Sequence, residues 1–228
     1  MSTIILGTPK SFTTNTTITK AIDYFHSANF EVISTKTKDI INANLFENIE
    51  MAGILLLEDS AKQTANQNAN TVDFFKRVTK KNIPLLTFGP FLSSFNKACF
   101  QNNIINVQIK NQTMLKSESL KRTLYLSPGS KFSNLVGRGG FFPLFDIQFE
   151  QMLESNKNKI LLGSGYCIEL GTLVILENSS QKCSIASGIN FTESKHFLKT
   201  FENILKNFAI ECNNYTKQIN LLKKESFL

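Results

Sequence analysis

The 228-residue chain has no tryptophan, two histidines, four cysteines and five prolines. Each scarcity removes a class of protein. The cysteines, Cys99, Cys167, Cys183 and Cys212, are far apart and form no C-x-x-C pair, which argues against a zinc site and a redox motif and leaves them as core thiols. His26 and His196 have no cysteine or second histidine at ligand spacing, so no metal is expected, and nothing in the chain calls for a cofactor. No apolar run approaches the length of a membrane span, and Met1 to Gly7 lacks the basic and apolar regions of a signal peptide, so a cytoplasmic protein is expected. With no export signal, the five N-x-S/T sequons are read as chance in an Asn- and Thr-rich chain.

Acidic residues are also in the minority, 18 against 25 basic, for a formal charge of +7. The excess is scattered, densest at Lys223-Lys224, and forms no Arg/Lys face interleaved with aromatics. That argues against a nucleic-acid site and reads first as solubility. A hydrophobic fraction of 42% with 19% charged residues is that of a globular domain, and no Pro/Gly/Ser linker divides it. One domain over 1–212 with a basic helical tail over 213–228 is the expected organisation.

What is present is a succession of short apolar runs alternating with helical stripes. Ile4-Ile5-Leu6 closes on Gly7-Thr8-Pro9; Ile18, Ala21, Ile22 and Phe25 then fall at helical spacing behind an Asn15 or Thr16 cap. Phe30 to Ser34 is a second strand, Asp39 to Phe46 holds a short helix, and Ala52 to Leu57 is a third strand ending in Glu58-Asp59-Ser60. Val72, Phe75 and Val78 mark the next helix, and Ile83 to Phe88 the fourth strand. Continuous apolar strands separated by helices predict a doubly wound, mostly parallel α/β sheet of the flavodoxin-like kind. Ligands in such sheets bind beyond the carboxyl ends of the strands, which nominates Gly7, Thr8, Glu58, Asp59, Ser60, Gly89 and Pro90.

From Ile104 onward the pattern changes. Short strand-like pieces (Ile104 to Gln108, Arg122 to Leu126, Phe141 and Phe142, Lys159 to Leu162, Leu173 to Leu176, Cys183 to Gly188) are separated by turn residues without a helical period, predicting an antiparallel extension in the middle of the chain. Phe197, Phe201, Ile204, Leu205 and Phe208 form the stripe of a late helix, and Ile219, Leu222 and Phe227 suggest a final short one.

Ile83 to Ser94 is the most informative stretch: an apolar strand, an abrupt Gly89-Pro90 turn, and a helix start. That is the geometry of a nucleophile elbow. Together with Ile5 to Pro9, Ile54 to Ser60, Ser127-Pro128-Gly129, Gly139-Gly140-Phe141 and Ala186 to Glu193, its order resembles the class I glutamine amidotransferase-like superfamily. The narrower pattern is similar to the N-terminal domain of biotin-protein ligases. In active members the resemblance implies a Cys at the elbow, activated by a His that a Glu orients, with loop amides stabilising the oxyanion. Here those positions hold Gly89, Asn190 and Thr192, and Glu58-Asp59-Ser60 replaces the Pro-Gly-Gly loop. The resemblance therefore implies a non-catalytic module binding a small molecule or a protein partner at the former site, with Gly139, Gly140 and Asn190 as further candidate contacts. A relocated active site using Glu58, Asp59 or Asn190, or a purely interacting protein, are the alternatives. Asn190 to Glu193 also reads as a helix capping box, and Glu58-Asp59 as a helix-start charge pair or a site for a cation or basic peptide. Cys99, ten residues beyond Gly89, is about 15 Å along a helix and too far to replace the nucleophile.

Overall fold

The computed structural model of the chain describes residues 2–9, 15–42, 50–58, 65–99, 108–113, 123–126, 129–137, 141–143, 148–153, 165–166, 175–177, 183–189 and 195–226. In chain order these form β1 (Thr3–Thr8), α1 (Thr16–Ser27), β2 (Glu31–Lys36), α2 (Thr37–Asn42), β3 (Met51–Leu57), α3 (Ala65–Lys80), β4 (Leu85–Phe88) and α4 (Leu92–Cys99). There follow β5 (Gln108–Thr113), β6 (Thr123–Leu126), α5 (Lys131–Val136), β7 (Phe141–Pro143), β8 (Gln148–Leu153), β9 (Gly165–Tyr166), β10 (Ile175–Glu177), β11 (Ser184–Ser187) and α6 (Lys195–Glu225).

The main sheet has the order β10-β11-β4-β3-β1-β2. Its five strands β2, β1, β3, β4 and β11 are parallel, and β10 pairs antiparallel with β11 at the edge. The strands β1, β3, β4 and β11 are buried throughout because helices cover both faces, which is why they read as unbroken apolar runs. Alternate residues serve the two faces. Ile4, Leu6, Leu55, Leu57, Leu86, Phe88 and Ile185 meet α1, α5 and α6; Ile5, Ile54, Leu56, Leu85 and Ala186 meet α2, α3 and α4.

The parallel sheet expected from the first half of the sequence is present, and α1 starts where its cap residue indicates, with the Asn15 side chain accepting from the amides of Thr17 and Ile18. Three readings of the later half are corrected. Of its strands only β10 and β11 join the main sheet, β11 as a parallel strand beside β4, whereas β5 and β8 pair with each other and β7, β6 and β9 form a separate antiparallel sheet. A helix, α5, also interrupts this region, started by Ser130 and stopped by Gly137 in the left-handed region at φ 67°. The final short helix is the end of α6, which runs unbroken for 31 residues, about 46 Å. Lys159 to Leu162 and residues 104–107 lie outside the described residues.

Short α5 forms because a strand brings it a carboxylate. Glu177, at the end of β10, accepts from the Ser130 hydroxyl at 2.7 Å and from the amides of Lys131 and Phe132 at 3.0 and 2.6 Å. Ser130 in turn accepts from the amide of Ser133. Negative charge at the amide-rich start of the helix is favourable, and one side chain ties the sheet edge to the layer above it. Glu177→Ala therefore costs about 2–4 kcal/mol, because the amides it serves stay partly buried without a partner. Glu177→Gln, which keeps one acceptor oxygen, costs less. Urea unfolding of the two variants checks that order; equal stability of Glu177→Ala and the parent refutes it.

Candidate functional site

The register of the parallel strands brings the nominated segments into one line. β1, β3 and β4 are neighbours, with Gly7 opposite Leu56 and Leu57 opposite Phe88, so Gly7-Thr8, Glu58 and Gly89-Pro90 share the carboxyl edge of the sheet. Ser187 at the end of β11 stands opposite Phe88 and extends the line. Asp59, Ser60, Gly139, Gly140, Asn190 and Thr192 lie outside the described residues.

At the centre of this line the chain makes the expected strand-turn-helix. Gly89 has φ +128°, a conformation that side chains disfavour. Its carbonyl accepts from the Phe91 amide at 2.8 Å, a three-residue turn around Pro90, and the Phe91 carbonyl then accepts the first bond of α4 from Phe95 at 2.9 Å. Pro90 has no amide proton and the Phe91 amide is occupied, so these two positions offer no donor to an anion. Phe91 is 1% exposed and turns its ring into the layer below, edge-on to Phe75 of α3.

The backbone of Glu58 lies against the elbow. Its amide donates to the Phe88 carbonyl at 2.9 Å, extending the β3–β4 ladder by one bond. A Cβ on Gly89 would stand 2.7 Å from the Glu58 carbonyl oxygen and 2.9 Å from the Glu58 Cβ. The position where a nucleophile's side chain would emerge is thus taken by neighbouring main chain. Glycine is required at 89 by this close approach as well as by its φ.

The β1 end is covered in a similar way. A Cβ on Gly7 would meet Leu56 Cδ2 at 2.7 Å, Thr37 Oγ1 at 2.9 Å and Ile40 Cδ1 at 3.0 Å. α2 is held there by Thr37, whose hydroxyl donates to the Leu57 carbonyl at 3.1 Å, while the Thr8 hydroxyl donates to the Thr35 carbonyl at 3.1 Å. Both rim glycines are therefore packing positions. Beside β11, the Ser187 hydroxyl oxygen accepts from the Ile189 amide at 3.1 Å and turns the chain away from the strand.

The thiols are not part of this edge chemistry. Cys183 and Cys212 are buried and Cys99 is partly so, and none of the three is in a disulfide. Burial, reinforced by the Glu211 and Glu177 carboxylates and opposed by Lys131, pushes the Cys183 thiol up to about 12, and burial raises Cys212 as well. Thiols held this far from the thiolate form are poor nucleophiles. Among the described residues no group of three or more His, Cys, Asp or Glu could hold a metal ion, and no helix is long and apolar enough to cross a membrane.

A second concavity, for which the sequence carries no local signal, opens between α2 and α3. It has a volume of about 620 Å³ and is lined by Ile41, Asn42, Asn70, Asp73, Lys76 and Arg77. Asn70 donates to Asn42 at 3.0 Å, Arg77 to the Ile41 carbonyl at 3.4 Å, and Lys76 lies 3.7 Å from Asp73. Its residues come from helices some thirty positions apart and no local motif joins them. Their charges are mixed and already in contact, so the cleft has no single chemical preference.

The five-stranded parallel sheet in the order 2-1-3-4-11, with helices on both faces and a strand-turn-helix after the fourth strand, is an α/β fold like that of known glutamine amidotransferase domains. The chain is similar in structure to a Thermoplasma acidophilum protein described as a GMP synthase subunit (TM-score 0.60, 11% identity, covering 96% of this chain and 98% of that one). It is also similar to the glutaminase domain of Trypanosoma brucei CTPS with bound acivicin (TM-score 0.55, 8% identity, covering 94% of each chain). A third similarity is to a glutamine amidotransferase of Thermotoga maritima (TM-score 0.52, 9% identity, covering 98% of this chain and 94% of that one). No family model matches the sequence, and no curated protein matches it.

Proposed function

We propose that the chain is a catalytically silent module on the glutamine amidotransferase fold and acts by binding a protein partner along the former active-site rim. The observation that carries this reading is the 2.7 Å between a Cβ built at Gly89 and the Glu58 carbonyl oxygen. An elbow so filled accommodates neither a nucleophile nor the tetrahedral intermediate that amide donors would stabilise. With the spaces beside Gly7 and Gly89 occupied, the rim offers its outer surface, which suits a protein more than a small molecule. Within the superfamily, the order of the Gly7, Glu58, Gly89 and Asn190 segments favours kinship with the biotin-protein ligase N-terminal domain, and the free thiols suit a reducing, cytoplasmic setting.

The test is turnover. Purified protein is expected to hydrolyse neither glutamine nor activated esters above the uncatalysed rate at neutral pH. Turnover that disappears on substitution of Glu58 or Asn190 would place a working site at the rim and overturn the proposal.

A second interaction surface is favoured by α6. The apolar line Phe201, Leu205, Phe208, Cys212 is buried on the sheet, and the same spacing continues through Tyr215, Ile219 and Leu222. Among the described residues the exposed large hydrophobics are Ile210, Leu221 and Leu222, all on this helix, with Leu222 61% exposed. The end is tethered by Lys223 to Glu50 at 2.6 Å and by the Tyr215 hydroxyl to the Lys81 carbonyl at 3.3 Å. Removing residues 217–228 should change the unfolding midpoint little, since exposed ion pairs contribute about 0–1 kcal/mol. If partner binding or self-association is unaffected by the truncation, as read by light scattering or pull-down with a known partner, this end has no role in association.

A further inference from the structure

The side of α6 turned away from the sheet carries a line of lysines. At about 100° per residue, Lys199, Lys206, Ile210, Lys217, Leu221 and Lys224 fall within about 40° of one line along the helix, and the other two positions in that sector are asparagines. The buried residues Phe201, Leu205, Phe208 and Cys212 occupy the opposite side. All four lysines are exposed, as are Ile210 at 48% and Leu221 at 59%. α1 joins α6 on one flank of the line, through Lys20 and Glu202, and α5 on the other, where Asn207 donates to the Asn134 and Leu135 carbonyls. The line between these two attachments is left open.

Lysines on a helix surface are commonly matched by a carboxylate three or four positions away. Lys217 and Lys224 have none at that spacing, and Glu202, which lies a turn from both Lys199 and Lys206, is taken by Lys20. Lysines elsewhere do find carboxylates: Lys76 approaches Asp73 and Lys223 reaches Glu50. Among the described residues none of the four lysines in the line makes an ion pair. Ile210 and Leu221, set between them, are two of the three large hydrophobics exposed among the described residues. Unmatched charge of one sign with apolar side chains interleaved is the composition of a face that meets an oppositely charged partner.

Charge and spacing narrow the choice of partner. A second copy of this face would set lysine against lysine. A lipid surface takes up a broad apolar face, whereas these two aliphatic side chains stand about 16 Å apart along the helix. A nucleic acid would meet no arginine or aromatic side chain on the line to read or stack on. On a partner helix, carboxylates seven positions apart are about 10 Å apart, the rise that separates Lys199 from Lys206 and Lys217 from Lys224.

We infer that the outward face of α6 docks an acidic helix of a partner protein, with carboxylates against the four lysines and apolar side chains against Ile210 and Leu221. This rests on the reading of α6 as an interaction surface and adds the chemistry of what it binds.

The probe is a soluble helical peptide with glutamate at every seventh position and leucine between, titrated into the full chain and followed by fluorescence anisotropy. It is expected to bind, and to lose about tenfold in affinity as salt rises from about 50 to about 300 mM. Lys206→Gln combined with Lys217→Gln should weaken binding by about tenfold and leave the melting temperature unchanged, because both side chains are exposed. Failure of the peptide to bind, equal binding of its glutamine analogue, or full binding by the double variant overturns the inference. So does equal or tighter binding of the chain to phosphatidylserine vesicles or duplex DNA through the same lysines. Truncation separates this inference from the reading beneath it. If removal of residues 217–228 abolishes peptide binding while the double variant binds fully, α6 still associates and only the charge assignment falls; if neither change weakens binding, both fall.

Discussion

Replacing Gly89 with cysteine lowers stability by about 2–6 kcal/mol and yields no glutaminase. Two costs add. A side chain at φ +128° is held in a region where non-glycine residues are strained by about 1–3 kcal/mol. Its Cβ must also displace the Glu58 backbone from 2.7 Å, against the amide bond that Glu58 gives to Phe88, and overpacking of this kind costs about 1–3 kcal/mol. Gly89→Ala loses nearly the same, since the clash is at Cβ and not at sulfur. The rate stays at background because a thiol alone is one part of a three-part device, and the amides of Glu58 and Phe91 are occupied in the chain itself. Urea unfolding and an ammonia-release assay on both variants decide the matter. A Gly89→Cys protein as stable as the parent would show that Glu58 yields freely, and glutamine turnover by it would mean that the closed elbow is a lost residue and not a lost architecture.

How much of this can be read from the sequence differs along the chain. β1, β3 and β4 are legible because burial on both faces demands unbroken runs such as Gly53-Ile54-Leu55-Leu56-Leu57, and α1 because Asn15 states its own start. α5 is not. Its six residues carry too little periodicity, and the group that starts it, Glu177, lies 46 positions from Lys131 and belongs to another strand. The unbroken α6 is hard to read for a related reason: its later stripe thins to Tyr215, Ile219 and Leu222 once the sheet no longer lies beneath, and a thinning stripe resembles a new element. For the elbow, Gly89-Pro90 announces the turn and the missing nucleophile. What no local pattern carries is that Glu58, thirty-one residues earlier, presses its main chain against that glycine. Gly7 is a parallel case, since the loop reading of Gly7-Thr8-Pro9 holds no sign that Thr37 and Ile40 occupy the space above it.

The protein's stability is expected to fall steeply above about pH 9, and two buried thiols cause it. Cys183 has its pKa raised from 9.0 to about 12, by burial first and then by Glu211, with Lys131 opposing and Glu177 adding. Cys212, fully buried on the sheet-facing side of α6, is raised by burial, then by Cys183 and Glu211. A thiol whose pKa is higher in the folded than in the unfolded chain contributes stability that is complete below about pH 9, where both forms are protonated. As the pH rises further the unfolded chain loses its proton and the folded one does not. Each thiol then removes about 1.4 kcal/mol per pH unit until its folded pKa is reached. By about pH 11 Cys183 alone has withdrawn about 3 kcal/mol, a large part of the roughly 5–15 kcal/mol that holds a domain folded, and Cys212 acts in the same direction. Tyr215, half-buried and also raised by burial, acts in the same direction but more weakly because solvent reaches it. Urea unfolding between about pH 7.5 and 11 measures the slope, and Cys183→Ala with Cys212→Ala isolates its source. The double variant starts lower, from the lost packing, and declines less with pH. If its slope equals that of the parent, the alkaline loss comes from deprotonating lysines, and the two cysteines are only space-filling parts of the core.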